Sequence, residues 1–204
     1  MIIDKFKRKN TFDYYNLRTN PFLIVVNKIE ITNLIKYCKI YKSHYAVIAY
    51  AIHLAINELD NFKYRVENGN FTYYKKLNLN FVQNIGDDIA FFAVKNEKKL
   101  ANFIKNFHEI NNKVKTNKQS YPNKNQGEIW YSCTPWFNFT SIITPFDKTA
   151  TIPQIIWDKF IYENNKVYVN LMIQIHHGFA DGSHIGKFFQ ILEEKIKDFD
   201  KYII

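Results

Sequence analysis

The residues with the clearest chemical potential form one run, Gln174-Ile175-His176-His177-Gly178-Phe179-Ala180-Asp181-Gly182-Ser183-His184. Ahead of the turn, Val167, Val169, Leu171, Ile173, Ile175 and His177 share one side of an alternating strand pattern. Tyr168, Asn170, Met172, Gln174 and His176 share the other. His177 therefore closes an apolar row just before a turn. An imidazole there is partly desolvated yet reachable from a cleft, a setting for proton transfer. His176 points the opposite way. Asp181 stands near the start of the last helix, where a carboxylate accepts backbone N–H groups and meets the positive end of the helix dipole. In a chain with 6 His and 6 Gly, the HxxxDG combination rarely arises by chance, and more rarely still at the end of an apolar strand.

The elements that position this run alternate in type. Phe22 to Lys28 reads as a strand, and Ile31 onward as a short helix with Thr32 as its N-cap. Ser43 caps a second helix, Tyr45 to Asn57, which is apolar almost all round and so covered on most sides. Phe62–Val66, Asn70–Lys75 after an Asn68-Gly69 turn, Leu77–Gln83 and Ile89–Val94 read as an antiparallel meander. From Glu97, helical spacing of Leu100, Phe103, Ile104, Phe107, Ile110 and Val114 gives an amphipathic helix that ends in a polar loop, Thr116 to Gly127. Strands return at Ile129–Cys133, Asn138–Ile143, Gln154–Tyr162 and Lys166–Ile175, the last two joined by a hairpin at Glu163-Asn164-Asn165. A closing helix carries Ile185, Phe188, Phe189, Leu192 and Ile196 on one face. Helices gathered against a mixed β-sheet imply an α/β (α+β) two-layer sandwich. No repeat or flexible linker divides the chain, so one domain is expected over residues 1–204.

Composition bounds the function classes. With 47% hydrophobic and 23% charged residues, the chain is globular rather than disordered or fibrous. Cys38 and Cys133 lack metal-ligand or disulfide-framework spacing, so no metal is expected and a reducing cytoplasm fits best. The N-terminal Met1-Ile2-Ile3-Asp4-Lys5-Phe6-Lys7-Arg8-Lys9 lacks the apolar region of a signal peptide, and the whole chain is expected to be the mature one. The longest apolar run, Tyr45 to Ile56, is too short to span a membrane. The net charge of +9 is spread without a binding arm and without a nucleic-acid motif, so neither membrane nor nucleic acid is expected as a partner.

His176-His177-Gly-Phe-Ala-Asp181-Gly182-Ser183-His184 resembles the HHxxxDGxH signature of the trimeric chloramphenicol O-acetyltransferases. It is also similar to the motif of the acyltransferase domain in 2-oxoacid dehydrogenase complexes. Ser132-Cys133-Thr134-Pro135-Trp136-Phe137-Asn138-Phe139 resembles the first family's SxxPWxNF segment. Tyr45 to Asn57 resembles its buried helix, and Asn27 to Thr32 its strand-to-helix junction.

The resemblance implies a CoA-dependent O-acyltransferase with acetyl-CoA as co-substrate and a small hydroxyl compound, chloramphenicol first, as acceptor. It assigns His177 as general base acting without an acyl-enzyme, and Ser132 as donor to the tetrahedral oxyanion. Asp181 becomes a structural anion in a buried pair with Arg8, with Lys9 and Arg18 as fallback partners, and losing one member is expected to cost about 3 to 5 kcal/mol. The resemblance further implies a homotrimer with active sites at subunit interfaces. It places Tyr15, Phe91 and Tyr121 at the acceptor pocket and Lys159 and Phe160 beside the CoA tunnel. Two departures stand out. Ile156 replaces a family threonine linked to the oxyanion water, and Thr140 to Pro145 differs from the usual pocket lining. The alternatives are another alcohol or a lipoyl thiol as acceptor, or a non-catalytic trimeric binding protein of the same fold.

Overall fold

The computed structural model describes residues 1–121, 126–145, 147 and 149–203. Its strands are β1 (Phe22–Glu30), β2 (Tyr64–Glu67), β3 (Asn70–Tyr73), β4 (Asn78–Ile85), β5 (Asp88–Val94), β6 (Glu128–Thr134), β7 (Gln154–Asp158), β8 (Ile161–Glu163) and β9 (Lys166–His176). Its α-helices are α1 (Lys9–Asn16), α2 (Ile35–Ile40), α3 (His44–Ile56), α4 (Leu100–Asn117) and α5 (Gly182–Lys197). The main sheet runs β1-β9-β7-β6-β4-β5, with β8 paired to β9, and β2-β3 forms a separate hairpin. β6 is parallel to both β4 and β7, and the other pairs are antiparallel, so the sheet is mixed. Helices α3, α4 and α5 cover one face, where Phe81, Tyr131, Ile155 and Ile173 join the main core. The other face carries a small cluster of Phe139, Ile156 and Met172 under the segment between β6 and β7.

Several sequence expectations change in the fold. The strands from Tyr64 to Val94 are not one meander, because β2 and β3 pair with each other, β3 takes the N-terminal Ile2 on its other edge, and β4 turns its second edge to β6. Asn138–Ile143 forms no strand. Both edges of β6 and both edges of β7 are already paired, and Asp158 Oδ2 takes the Phe139 N–H (3.1 Å), which holds this segment as an irregular cover. Thr32 does not cap a helix. Its hydroxyl donates to Glu30 and accepts the Val167 N–H, tying a 3₁₀ turn to β9. The third long helix starts at Leu100 rather than Glu97, since the Tyr50 hydroxyl donates to the Lys98 carbonyl (2.9 Å) and Lys99 is extended. The strand expected from Gln154 to Tyr162 breaks at Lys159-Phe160. Part of the polar loop, residues 122–125, lies outside the described residues.

Two turns and a cap follow the sequence. Asn68-Gly69 and Asn164-Asn165 take positive φ at both central positions, the twist-matched geometry of tight hairpins. Ser43 accepts the Ala46 N–H at the start of α3.

Within α3, His53 is buried between the Tyr131 hydroxyl (2.8 Å) and the Leu77 carbonyl (2.9 Å). Burial pushes its imidazole down to about 4. An unfolded histidine protonates near 6.5, so the unfolded chain binds the proton first as pH falls. Stability is therefore full above about 6.5 and lost progressively toward 4. At pH 5 this group alone is expected to remove about 2 kcal/mol. Thermal unfolding followed from pH 7 to 5 checks it: His53→Gln is expected to show a shallower loss than wild type.

Candidate active site

α1, which the alternating patterns of the sequence do not mark, crosses the turn that follows β9. A Cβ on Gly178 would lie 2.5 Å from the Phe12 Cα, so glycine is what lets the helix come this close. Three groups surround His177, the first two brought by this crossing and the third by the start of β1. Tyr15 stacks flat on its ring, with centroids 4.0 Å apart and planes 6° apart. The Arg8 guanidinium donates to the carbonyls of Gly178 (3.0 Å) and His177 (3.4 Å) and to Asp181 Oδ2 (3.0 Å). The His177 N–H donates to the Pro21 carbonyl (2.8 Å).

Of the two ring nitrogens of His177, Nδ1 is buried without a hydrogen-bond partner among the described residues. Nε2 is the nitrogen left to meet solvent or substrate. His176 is buried and stacks on Phe12; its Nδ1 accepts the Gly178 N–H (3.1 Å) and burial pushes it down to about 4. A group so placed is structural.

Asp181 caps α5. Its Oδ1 accepts the Ser183 N–H (3.0 Å) and hydroxyl (2.6 Å) and lies 2.8 Å from His184 Nδ1. The Ser183 hydroxyl, followed by His184 and Arg8, holds this carboxyl well below the usual carboxylate range against the pull of partial desolvation. The pair with Arg8 is not buried, however: the side chains are 24% and 36% exposed. The penalty of an orphaned buried charge does not apply to the single chain, and solvent screening brings the ion pair nearer to about 1 kcal/mol. Lys9 pairs with Asp13, and Arg18 stacks on Tyr14, so neither takes the place of Arg8.

Ser132 lies elsewhere. The β4–β6 ladder stops at Phe81–Tyr131. There the Tyr45 hydroxyl donates to the Tyr131 carbonyl (2.6 Å) and accepts the Val82 N–H (3.2 Å), wedging the strands apart. Ser132 stands just past this wedge. On one side is a trough of about 370 Å³ whose lining includes His44, Tyr45, Cys133, Lys159 and Phe160. A narrower cleft of about 180 Å³, bounded by Tyr45, Ser132 and Trp136, leads from it. Beyond is a cavity of about 360 Å³ on the second sheet face that includes Val82, Phe91, Ser132 and Ile156. Tyr121 does not line that cavity. It extends the sheet beside β5, exchanging backbone hydrogen bonds with Phe91 and Ala93.

The candidate residues thus fall into two groups. Arg8, Tyr15, His177 and Asp181 gather at one end of the sheet, while Phe91, Ser132, Lys159 and Phe160 surround the β6 openings. Register carries Ser132 through Ile156 to Met172, two strands across and five residues short of His177. Ordinary sheet dimensions make that separation roughly 20 Å. One chain does not bring the serine and the histidine together.

The sequence model of the family described as chloramphenicol acetyltransferase matches residues 1–193. The chain belongs to the chloramphenicol acetyltransferase family. It is accordingly an acyltransferase. A chloramphenicol acetyltransferase from Staphylococcus intermedius is 26% identical over 211 residues, covering 98% of this chain and 97% of that protein. A solved chloramphenicol acetyltransferase superposes with a TM-score of 0.81 at 22% identity, over 96% of this chain and 99% of the other. A probable dihydrolipoamide acetyltransferase from Listeria monocytogenes gives 0.73 at 16%, over 97% and 94%; at these identities the structures speak for the shared fold. Among the described residues no helix is long and apolar enough to cross a membrane.

Sequence reasoning missed the Tyr45 wedge, whose only trace is an aromatic residue with a polar tip at the start of an apolar helix. It also missed α1 as the clamp on the turn. Gly178→Ala must push α1 away, and about 1–3 kcal/mol of stability is expected to go with it, together with most of the turnover. Denaturant midpoints and rates of the purified variant check this. Tyr45→Phe leaves the Val82 N–H and the Tyr131 carbonyl without their partner, and a loss of about 1–3 kcal/mol is expected by the same measurement.

Proposed function

We propose that this chain transfers an acetyl group from acetyl-CoA to a hydroxyl of a small molecule, with chloramphenicol the leading acceptor, and that its active site is assembled between subunits of a homotrimer. The observation that carries the reading is the His177 ring: Tyr15 stacks on it, one nitrogen is buried and the other is open. In this reading Nε2 accepts the proton of the acceptor hydroxyl as its oxygen attacks the thioester carbonyl. The new C–O bond forms, the C–S bond breaks, and the leaving thiolate recovers the proton from the imidazolium. No acyl-enzyme is formed. Arg8 and Asp181 are positioning residues that hold the turn and the first turn of α5.

Ser132 is the donor to the oxyanion, an interaction realised only as charge develops on the carbonyl oxygen. Ile156 stands in register beside it and supplies no hydroxyl, so the stabilisation rests more heavily on Ser132. The trough past the wedge, with Lys159 and Phe160 at its rim, fits a slender thioester arm, and the basic balance of the chain suits the phosphates of CoA. The cavity with Phe91 fits the acceptor.

The distance between Ser132 and His177 within one chain supports a site built from two copies, the histidine of one facing the serine of its neighbour. Exposed Tyr14 and Leu17 near the first group, and exposed Ile89, Phe91 and Trp130 near the second, supply apolar surface for such a contact. No step requires a metal.

Thiol release from acetyl-CoA in the presence of chloramphenicol tests the reaction. His177→Ala is expected to lower kcat by about 10²–10⁴-fold, and Ser132→Ala by about 10²–10³-fold. Unchanged turnover in His177→Ala would end the general-base assignment, and release with other alcohols alone would change the acceptor and keep the mechanism.

A further inference from the structure

Ser132 occupies a place where the sheet holds its strand on one side only. The β4–β6 ladder ends at Phe81–Tyr131, so Ser132 keeps its register with Ile156 on β7 and has no ladder partner on β4. A strand released from one neighbour swings more freely, yet an oxyanion donor acts only where it is held in advance. The Tyr45 hydroxyl supplies part of that restraint at the Tyr131 carbonyl. The rest lies on the helix-covered face, in two buried side chains that the general-base chemistry leaves unused.

Tyr131 and Ser132 are neighbours on β6 and therefore point to opposite faces of the sheet. Ser132 borders the cleft. Tyr131 enters the main core, where it stacks on Phe81 and is 1% exposed. Its hydroxyl lies 2.8 Å from His53 Nδ1, and His53 Nε2 lies 2.9 Å from the Leu77 carbonyl. These contacts fix the tautomer. A carbonyl only accepts, so Nε2 carries the proton and donates it to Leu77. Burial, which pushes the imidazole down to about 4, keeps the ring neutral at pH 7. Nδ1 is then a lone-pair acceptor, and the Tyr131 hydroxyl donates to it.

His53 and Tyr45 belong to the same helix, α3, and Leu77 immediately precedes β4. One helix thus grips Tyr131 at both ends, Tyr45 at the carbonyl and His53 at the hydroxyl, while the imidazole ties the grip to the start of β4. Packing alone calls for neither polar group. A phenyl ring and an aliphatic side chain would fill the same core without the desolvation that a hydroxyl and an imidazole must recover through hydrogen bonds.

We propose that His53 and Tyr131 are positioning residues for Ser132: the pair pins the strand at the residue before the serine and so aims its hydroxyl at the developing oxyanion. The proposal rests on the reading of Ser132 as the oxyanion donor.

Tyr131→Phe keeps the ring and removes the hydroxyl. In thiol release from acetyl-CoA with chloramphenicol, this variant is expected to lower kcat about tenfold and to leave the KM for acetyl-CoA unchanged. In a Ser132→Ala background the same substitution is expected to leave kcat where it stands, because the group it positions is gone. A loss that came from a looser sheet would carry the same factor into both backgrounds. His53→Asn, whose Oδ1 can accept the Tyr131 hydroxyl, is expected to keep most of kcat, whereas His53→Leu falls as Tyr131→Phe does. Thermal midpoints check that each variant is folded, and if His53→Leu is not, the two Tyr131→Phe backgrounds carry the test alone. Unchanged kcat in folded Tyr131→Phe, an equal factor in both backgrounds, or His53→Asn no more active than a folded His53→Leu overturns the proposal and leaves acetyl transfer standing. A wild type that releases no thiol with any acceptor overturns acetyl transfer and the proposal together.

Discussion

Strand register is the constraint on which the rest of the molecule depends. Backbone pairing from β6 through β7 to β9 fixes Ser132 level with Met172, and no side-chain rotation closes the remaining distance to His177. Every hydrogen bond of those ladders would have to slip to bring the two residues together, and a slip of one residue would turn the buried faces of these strands outward. The separation is thus as secure as the core itself, and it leaves each chain with two separate groups of candidate residues on one sheet.

Each group is held by a different device. At the histidine end, a short helix lies against a glycine, and its arginine gathers the turn carbonyls and the α5 cap into one cluster. At the serine end, a tyrosine hydroxyl stands in for a strand-to-strand hydrogen bond and opens the sheet between two faces. The first device restricts a ring without enclosing it. The second leaves an opening beside the serine while the strands on either side stay paired to their other neighbours.

Much of the histidine end was legible in the sequence because its signals are local. The alternation of β9, the turn glycine and the aspartate before an amphipathic helix all lie within a few residues, and both tight turns announce themselves through Asn and Gly. Membership of the family pointed to Arg8 and Ser132, which no periodicity would have found. What stayed hidden depends on contacts far apart in the chain. Tyr45 reads as one more apolar residue until Val82 and Tyr131 are seen on either side of it. The segment Asn138–Ile143 has strand composition, but occupied strand edges and the Asp158 carboxylate hold it as a cover. Helix α1 has little apolar pattern, and its place is set by the shape of Gly178. The exposure of the Arg8–Asp181 pair likewise follows from where the helix ends, which composition does not encode.

The central claim is that acetyl transfer needs the histidine of one subunit and the serine of another. Chains carrying His177→Ala and chains carrying Ser132→Ala, each with its own affinity tag, can be co-expressed and the mixed oligomers isolated through both tags. Each variant alone is expected to fall well below wild type, while every mixed trimer holds one intact pair, so about a third of the sites are rebuilt, with activity to match. Mixed oligomers no more active than the better of the two pure variants would contradict the claim.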